Sequence, residues 1–220
     1  MARRTQEGAK SSLLFLCFSL LFLVVLGDLN DEQVEDWNWV TYGSVIKLCH
    51  QSTGYRLHSH EVVYGTGSGQ QSVTAYPFGG DSNSFWLAKG VHNETLFSQG
   101  NPILCGSFIR LEHLNTKKNL HSHLPKSPIS GNLEVSAFGV DGEGDSGDVF
   151  QLLCADNRAK EWKRGEAVYL KHVDTKSFLY SNAKYAYPDP IEGHLEVSGN
   201  KRKSTECLWQ ADDGFFFMKP

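Results

Sequence analysis

The sequence is poor in the patterns from which chemistry is usually read. It contains no Cys-x-x-Cys pair, no Gly-x-Ser-x-Gly elbow and no phosphate-cradling glycine loop. Dithiol redox catalysis, an elbow nucleophile and nucleotide binding each lose their usual support. No paired carboxylates stand out as acid and base, so the chain reads as non-enzymatic and without a cofactor. Basic residues cluster only at Lys201-Arg202-Lys203, a solvated loop tip on this reading, and the formal net charge is −4. That balance disfavours nucleic acid and anionic membranes as partners. No segment sustains the apolar period of a helix. Long apolar runs are scarce too. Leu13 to Leu26 is the one of note, short of the ~20 residues that cross a bilayer.

Arg3, Arg4 and Lys10 stand before or at the edge of that run, and Val25 and Gly27 offer small side chains at its end. Residues 1–27 therefore read as a cleaved secretory signal peptide rather than an anchor. Residues 28–36 read as an acidic leader. Cys17 leaves with the signal, and Cys49, Cys105, Cys154 and Cys207 remain. An even set in a secretory-pathway chain suggests disulfides, with three connectivities open. Asn93-Glu94-Thr95 is an N-glycosylation candidate at Asn93.

What the chain does have is a pattern stated three times. Gly43-Ser-Val-Ile-Lys-Leu-Cys-His50 leads to Leu57-His58-Ser59-His60. Gly106-Ser-Phe-Ile-Arg-Leu-Glu-His113 leads to Leu120-His121-Ser122-His123, and Gly165-Glu-Ala-Val-Tyr-Leu-Lys-His172 leads to Leu179-Tyr180-Ser181-Asn182. Each copy divides into four short segments, clearest in the second: Phe108–His113, Asn119–Ser122, Leu133–Ser136 and Val149–Leu153. The fourth segments share a bulky aromatic: Trp86, Phe150 and Trp209. One such copy cannot bury its own apolar face. Three copies closing on each other remove their edges. The expected fold is all-β, a β-trefoil of 12 short strands with pseudo-threefold symmetry over residues 37–220, divided 37–97, 98–158 and 159–220.

Alternation places Ile46, Leu48 and His50 on one face, with Ile109, Leu111 and His113 and then Val168, Leu170 and His172 repeating it. Leu57, Leu120 and Leu179 join that layer, with the fourth-segment aromatics beneath. Cys105 directly precedes the second copy's first strand and Cys154 lies in its last, so a Cys105–Cys154 bridge is expected where those strands lie close. Cys49 and Cys207 lie in the domain's end strands and would pair if those strands meet.

Chemical candidates follow from the same map. The pairs His58/His60 and His121/His123 each share a strand face, a spacing able to hold a metal. The third copy lacks the pair, and no carboxylate recurs beside them in sequence, so fixing loops by hydrogen bonds is the preferred reading. His50, His113 and His172 could ring a threefold axis around zinc, but satisfying buried carbonyls is preferred. No metal is expected. The loop 139–148 alternates glycine with Asp141, Glu143 and Asp145; it lacks the full pattern of a calcium loop. It reads as a flexible solvated loop able to dock a basic patch. Tyr64, Tyr76, Tyr185 and Tyr187 are taken as loop aromatics available to a ligand.

The Gly-x-x-ϕ-x-Leu-x-His opening and the Leu-His-Ser-His segment resemble the MIR module. This β-trefoil occurs in protein O-mannosyltransferases and in inositol-trisphosphate and ryanodine receptors. Arg56-Leu-His-Ser-His60, Tyr64-Gly-Thr-Gly-Ser-Gly-Gln-Gln-Ser-Val-Thr74, Asn132-Leu-Glu-Val-Ser-Ala-Phe138 and Phe217-Met-Lys-Pro220 are similar to a small branch of that family in the endoplasmic reticulum lumen. The resemblance implies three MIR repeats and a non-catalytic role beside a lumenal J-domain cochaperone and Hsp70. Its clients would be unfolded or O-mannosylated secretory proteins; the unfolded protein response and, in plants, receptor maturation for immunity go with it. A lectin-like glycan-binding module is the alternative. Met218-Lys219-Pro220 carries no KDEL-type signal, so lumenal retention would fall to a partner.

Overall fold

The structure is a computed structural model that describes residues 37–92 and 99–218. The signal peptide, the acidic leader and the Asn93 sequon lie outside the described residues. The first copy supplies β1 (Val45–His50), β2 (Arg56–Val63), β3 (Gln71–Tyr76) and β4 (Trp86–Lys89). The second supplies β5 (Phe108–His113), β6 (Asn119–Lys126), β7 (Leu133–Phe138) and β8 (Phe150–Cys154), and the third β9 (Ala167–His172), β10 (Phe178–Ala186), β11 (Leu195–Asn200) and β12 (Trp209–Phe215). A single 3-10 turn precedes each fourth strand, at Ser82–Ser84, Ser146–Asp148 and Thr205–Cys207. The glycine that opens each copy has left-handed backbone, φ +88° at Gly43, +94° at Gly106 and +72° at Gly165, where a side chain would be strained.

Six strands close a ring. β1 pairs with β4, β4 with β5, β5 with β8, β8 with β9, β9 with β12 and β12 with β1, all antiparallel. The other six form three hairpins, β2–β3, β6–β7 and β10–β11. These pair in a triangle through β3–β7, β7–β11 and β11–β3. A closed six-strand barrel under a three-hairpin cap is the β-trefoil. Each hairpin slips register at one equivalent place, after Ser59, Ser122 and Ser181, and pairs again at Val63, Lys126 and Ala186.

The barrel interior is filled by the three copies in turn. Ile46, Leu48, Leu57 and Trp86 are fully buried, as are Ile109, Leu111 and Leu120 with Phe150 beside them, and Val168, Leu170 and Trp209 with Leu179. Each such side chain stabilises the fold by ~1.5–3 kcal/mol on burial. The indole N–H of Trp86 donates to the Leu57 carbonyl and that of Trp209 to the Leu179 carbonyl, at 3.0 and 3.1 Å. The reverse face of the first strands is not left to water. Lys47 lies over the Phe85 ring and donates to the Gly79 carbonyl, and Arg110 donates to the carbonyls of Gly90 and Gly142.

A second threefold feature has no counterpart in the motif. Val40, Ile103 and Trp162 are fully buried at the barrel floor. The Val40 N–H donates to the Trp162 carbonyl, Trp162 to Ile103, and Ile103 back to Val40, at 2.9, 2.8 and 2.9 Å. The three peptides thus form a closed ring of hydrogen bonds, each copy giving one donor and one acceptor.

Cys105 and Cys154 are disulfide-bonded. The expected Cys49–Cys207 bridge is corrected: both thiols are free and buried. The end strands do meet, but Cys49 stands on the outward face of β1, and Cys207 sits in a 3-10 turn against Phe178 and Tyr180. Burial pushes both thiols above their ordinary pKa, which keeps them protonated and unreactive. Non-reducing peptide mapping is expected to recover Cys105 joined to Cys154, with Cys49 and Cys207 alkylated only after denaturation. Replacing the bridged pair by alanine is expected to lower stability by ~2–5 kcal/mol in urea titration.

Candidate functional site

The repeat histidines end β1, β5 and β9. Nε2 of His50, His113 and His172 lies 2.9 Å from the carbonyls of Glu206, Asn83 and Gly147, each in or directly beside a neighbouring copy's 3-10 turn. Their Nδ1 atoms lie 2.9, 2.8 and 2.8 Å from the hydroxyls of Thr53, Thr116 and Thr175. A carbonyl only accepts, so Nε2 carries the proton and Nδ1 accepts from the threonine. Each ring also packs on the fourth-strand aromatic of that neighbouring copy, with centroids 4.8–5.0 Å apart. Burial holds all three below the ordinary histidine pKa. Both nitrogens are engaged in each ring, so the three serve as clasps between copies and offer no lone pair to zinc.

The His-Ser-His segments divide by residue. Ser59, Ser122 and Ser181 are buried and donate to the carbonyls of Ser72, Glu134 and Glu196 on the partner strand of their own hairpin. The histidines do have carboxylates beside them, contrary to the sequence expectation, because the acids arrive from the 3-10 turns and from β7. His58 Nδ1 is 2.8 Å from Asp81, His121 Nδ1 is 3.0 Å from Asp148, and His123 Nε2 is 2.8 Å from Glu134. In the third copy, Tyr180 instead packs on Phe178 and Cys207.

The loop 139–148 is also not the flexible segment expected. Asp145 and Asp148 form a reciprocal capping box on the turn, with Asp148 fully buried and bound by Asn119 as well. Lys89, Arg110 and Asn119 all donate to the Gly142 carbonyl. Asp141 and Glu143 remain exposed. His121, Asp145 and Asp148 bring three ligand atoms within 4.8 Å, but the hydrogen bonds just named already occupy Asp148.

The tyrosines do not form one platform. Tyr64 is corrected outright: it is 7% exposed, inside the cap. Its hydroxyl donates to the Val135 carbonyl at 2.8 Å and accepts from the Val73 N–H at 3.2 Å. Tyr76 packs against His58, His194 and Phe78. Tyr185 stands apart, beside Tyr180 and under Lys184. Tyr187 is half-buried and shares a cleft of about 340 Å³ with Tyr64, Val62, Val63, Pro188 and Ile191.

That cleft has a physical origin. At equivalent places in β3, β7 and β11 stand Ser72, Glu134 and Glu196. The two glutamates are buried and reach into the loop of the preceding hairpin. Glu134 accepts from the Ser68 N–H and hydroxyl, and Glu196 from the N–H groups of Ile129 and Ser130. Ser72 is too short to do the same and donates to the Val62 carbonyl instead. The junction between the first and third hairpins therefore stays open, and Val62 and Val63, 49% and 56% exposed, line it. None of this is visible in a repeat alignment except as the substitution of serine for glutamate.

The MIR domain family matches residues 56–209. The chain is 46% identical over 209 residues to a stromal cell-derived factor 2-like protein of Dictyostelium discoideum, covering 93% of this chain and 97% of that one. The crystal structure of the SDF2-like protein from Arabidopsis thaliana superposes with a TM-score of 0.78 at 47% identity, covering 82% of this chain and 98% of that one. The S. cerevisiae protein O-mannosyltransferase Pmt1–Pmt2 complex, bound to the sugar donor, matches at 28% identity and a TM-score of 0.73, over 81% of this chain but 26% of that one.

Two outcomes test the clasps. Thr116→Val removes the hydroxyl donor to His113 Nδ1, leaving the longer Thr116 N–H contact at 3.4 Å, and takes the acceptor from Gln71; it is expected to cost ~1–3 kcal/mol in urea titration. The pH dependence has a definite sign. With folded pKa values below the unfolded ~6.5, the unfolded chain takes up protons first. Stability is therefore complete above about pH 6.5 and is expected to fall as pH drops below it, seen as a falling urea midpoint between pH 7 and 5.

Proposed function

The chain belongs to the stromal cell-derived factor 2 family of MIR-domain proteins, and from that membership we propose that it is a non-catalytic recognition subunit of a chaperone complex in the endoplasmic reticulum lumen. The observation that carries this reading is the open junction between the first and third hairpins. The repeated polar residues are engaged in holding the fold, so the surface left for a partner is what the copies do not share. At that junction the wall is apolar and aromatic, with backbone at its rim and a volume at the small end of ligand pockets. Such a cleft suits an apolar side chain of an extended peptide, as exposed by an unfolded client or a cochaperone segment. A lumenal J-domain protein, with its Hsp70, would supply the ATP-driven step, while this chain lengthens client residence.

Glycan recognition is the second reading. Tyr187 and Asp189 line the same cleft, and an aromatic face beside a carboxylate is what a sugar ring requires. An O-mannosylated client would combine both readings.

Crosslinking mass spectrometry on microsomes tests the first reading, with a J-domain protein and clients expected among stoichiometric partners joined through the cleft rim. Val63→Asp replaces an exposed rim residue and is expected to lower that capture at least ~10-fold, the scale of an interface hot spot. Asp141→Asn, on the far loop, is expected to leave it unchanged. Capture unaffected by Val63→Asp, with mannose-type ligands bound on a glycan array, would favour the second reading.

A further inference from the structure

The third copy departs from the other two away from the cleft. At equivalent places the first copy carries Lys47, Arg56 and His58, and the second Arg110, Asn119 and His121. The third carries Tyr169, Phe178 and Tyr180, and Cys207 stands where the others have Ser84 and Asp148. A polar network is thereby replaced by an aromatic shelf. Phe178, Tyr180 and Cys207 form a buried cluster of their own, outside the main core, with Leu153, Tyr169 and Tyr185 packed against it. Ring centroids are 6.2 Å apart for Tyr169–Phe178 and 6.5 Å apart for Tyr180–Tyr185.

Lysines stand on this shelf. Lys203 Nζ lies 4.0 Å from the Tyr169 ring centroid, Lys184 Nζ 4.7 Å from that of Tyr185 and Lys171 Nζ 5.7 Å from that of Phe178. Lys201 Nζ donates to the Thr175 carbonyl, while Lys176 and Arg202, adjoining them in the chain, are exposed. The other copies pair their cations with acids: Lys47 with Asp213, Arg56 with Asp212, and Lys89 and Lys117 with Glu112. Among the described residues, none of these six third-copy cations has a carboxylate partner. The two acids in the same stretches are turned elsewhere. Glu206 accepts from the Thr205 hydroxyl and Asp174 from that of Ser146.

We propose that this aromatic–lysine face, carried by β9, β10 and the turn 201–203, docks an acidic segment of a partner protein. A ring's negative face attracts an ammonium without neutralising it, so the charges are positioned and still open to a carboxylate. Lysines already held over rings lose less freedom when an anion binds. The half-buried Tyr169 and Tyr185 add amphipathic contact between the charges.

The charge of the whole chain selects the kind of anion. It is formally −4, so a long polyanion would run off this face onto surface of its own sign, whereas a short acidic segment would not. Lys201-Arg202-Lys203 is thus more than the solvated loop tip it resembles in sequence, since Lys203 belongs to the shelf and Lys201 is tied to the Thr175 carbonyl. None of the cleft-lining residues belongs to this face, and the proposal stands independently of the role given to the cleft.

The test follows the fluorescence anisotropy of a dye-labelled decapeptide of aspartate and glutamate, titrated with the full-length protein at pH 7.5 and low salt. Saturable binding is expected, and it is expected to weaken as added salt shortens the screening length. Lys171→Gln combined with Lys203→Gln is expected to weaken it at least ~10-fold, the scale of an interface hot spot. Lys118→Gln combined with Lys126→Gln removes the same charge from the second copy and is expected to change it less than ~2-fold. Arg202→Gln alters an exposed side chain that rests on no ring. It is expected to weaken binding ~3-fold, the scale of one exposed ion pair, with the urea midpoint unchanged. That variant separates lost binding from lost structure. Absence of saturable binding, equal loss in the two double variants, or no loss in Arg202→Gln would overturn the proposal. So would a sulfated oligosaccharide that binds where the peptide does not.

Discussion

A neutral imidazole held between a threonine hydroxyl and a carbonyl fixes each copy of the repeat to its neighbour. Because the contact runs from the end of one first strand to the turn before another copy's fourth strand, it is cyclic, and no copy can be completed alone. The turn it secures sets where the fourth-strand aromatic enters the core, and the ring itself packs on that aromatic. Barrel closure, the aromatic tier and the placement of the hairpins all follow from this contact. It also carries a condition, since a protonated imidazole could no longer accept from the threonine.

Legibility in the sequence tracked regularity of the backbone. The first strands Val45–His50, Phe108–His113 and Ala167–His172 fall where alternation puts them, because nothing interrupts the period of two. The second strands run past the serine at which alternation stops being informative. There the register slips, and residues as far as Val63, Lys126 and Ala186 stay paired or extended with a changed phase. The fourth strands begin at Trp86, Phe150 and Trp209, one linking residue beyond 3-10 turns that no period of two marks in the sequence.

The site was less legible than the fold. Tyr64 sits in a glycine-rich stretch that reads as a loop, yet its ring fills the cap, because the turn of β2 into β3 folds back over the neighbouring hairpin. His194 is a single residue outside the motif, and only the pairing of β3 with β11 brings it to His58. Val40, Ile103 and Trp162 share the spacing of the repeat, but a valine, an isoleucine and a tryptophan do not look alike in sequence. What unites them is a peptide group, which carries no sequence signature.

The closed ring of peptides at the barrel floor has a consequence for synthesis. Val40 emerges from the ribosome long before Trp162, and β1 long before its partner β12. A nascent chain holding only the first two copies has an unclosed floor, an open seam along β1 and no neighbour for its last hairpin. Contacts this distant in sequence are slow to form, and the waiting edges expose apolar strand surface meanwhile. The barrel can therefore close only once the third copy has emerged, and until then the strand edges that β12 and Trp162 will cover stay without partners.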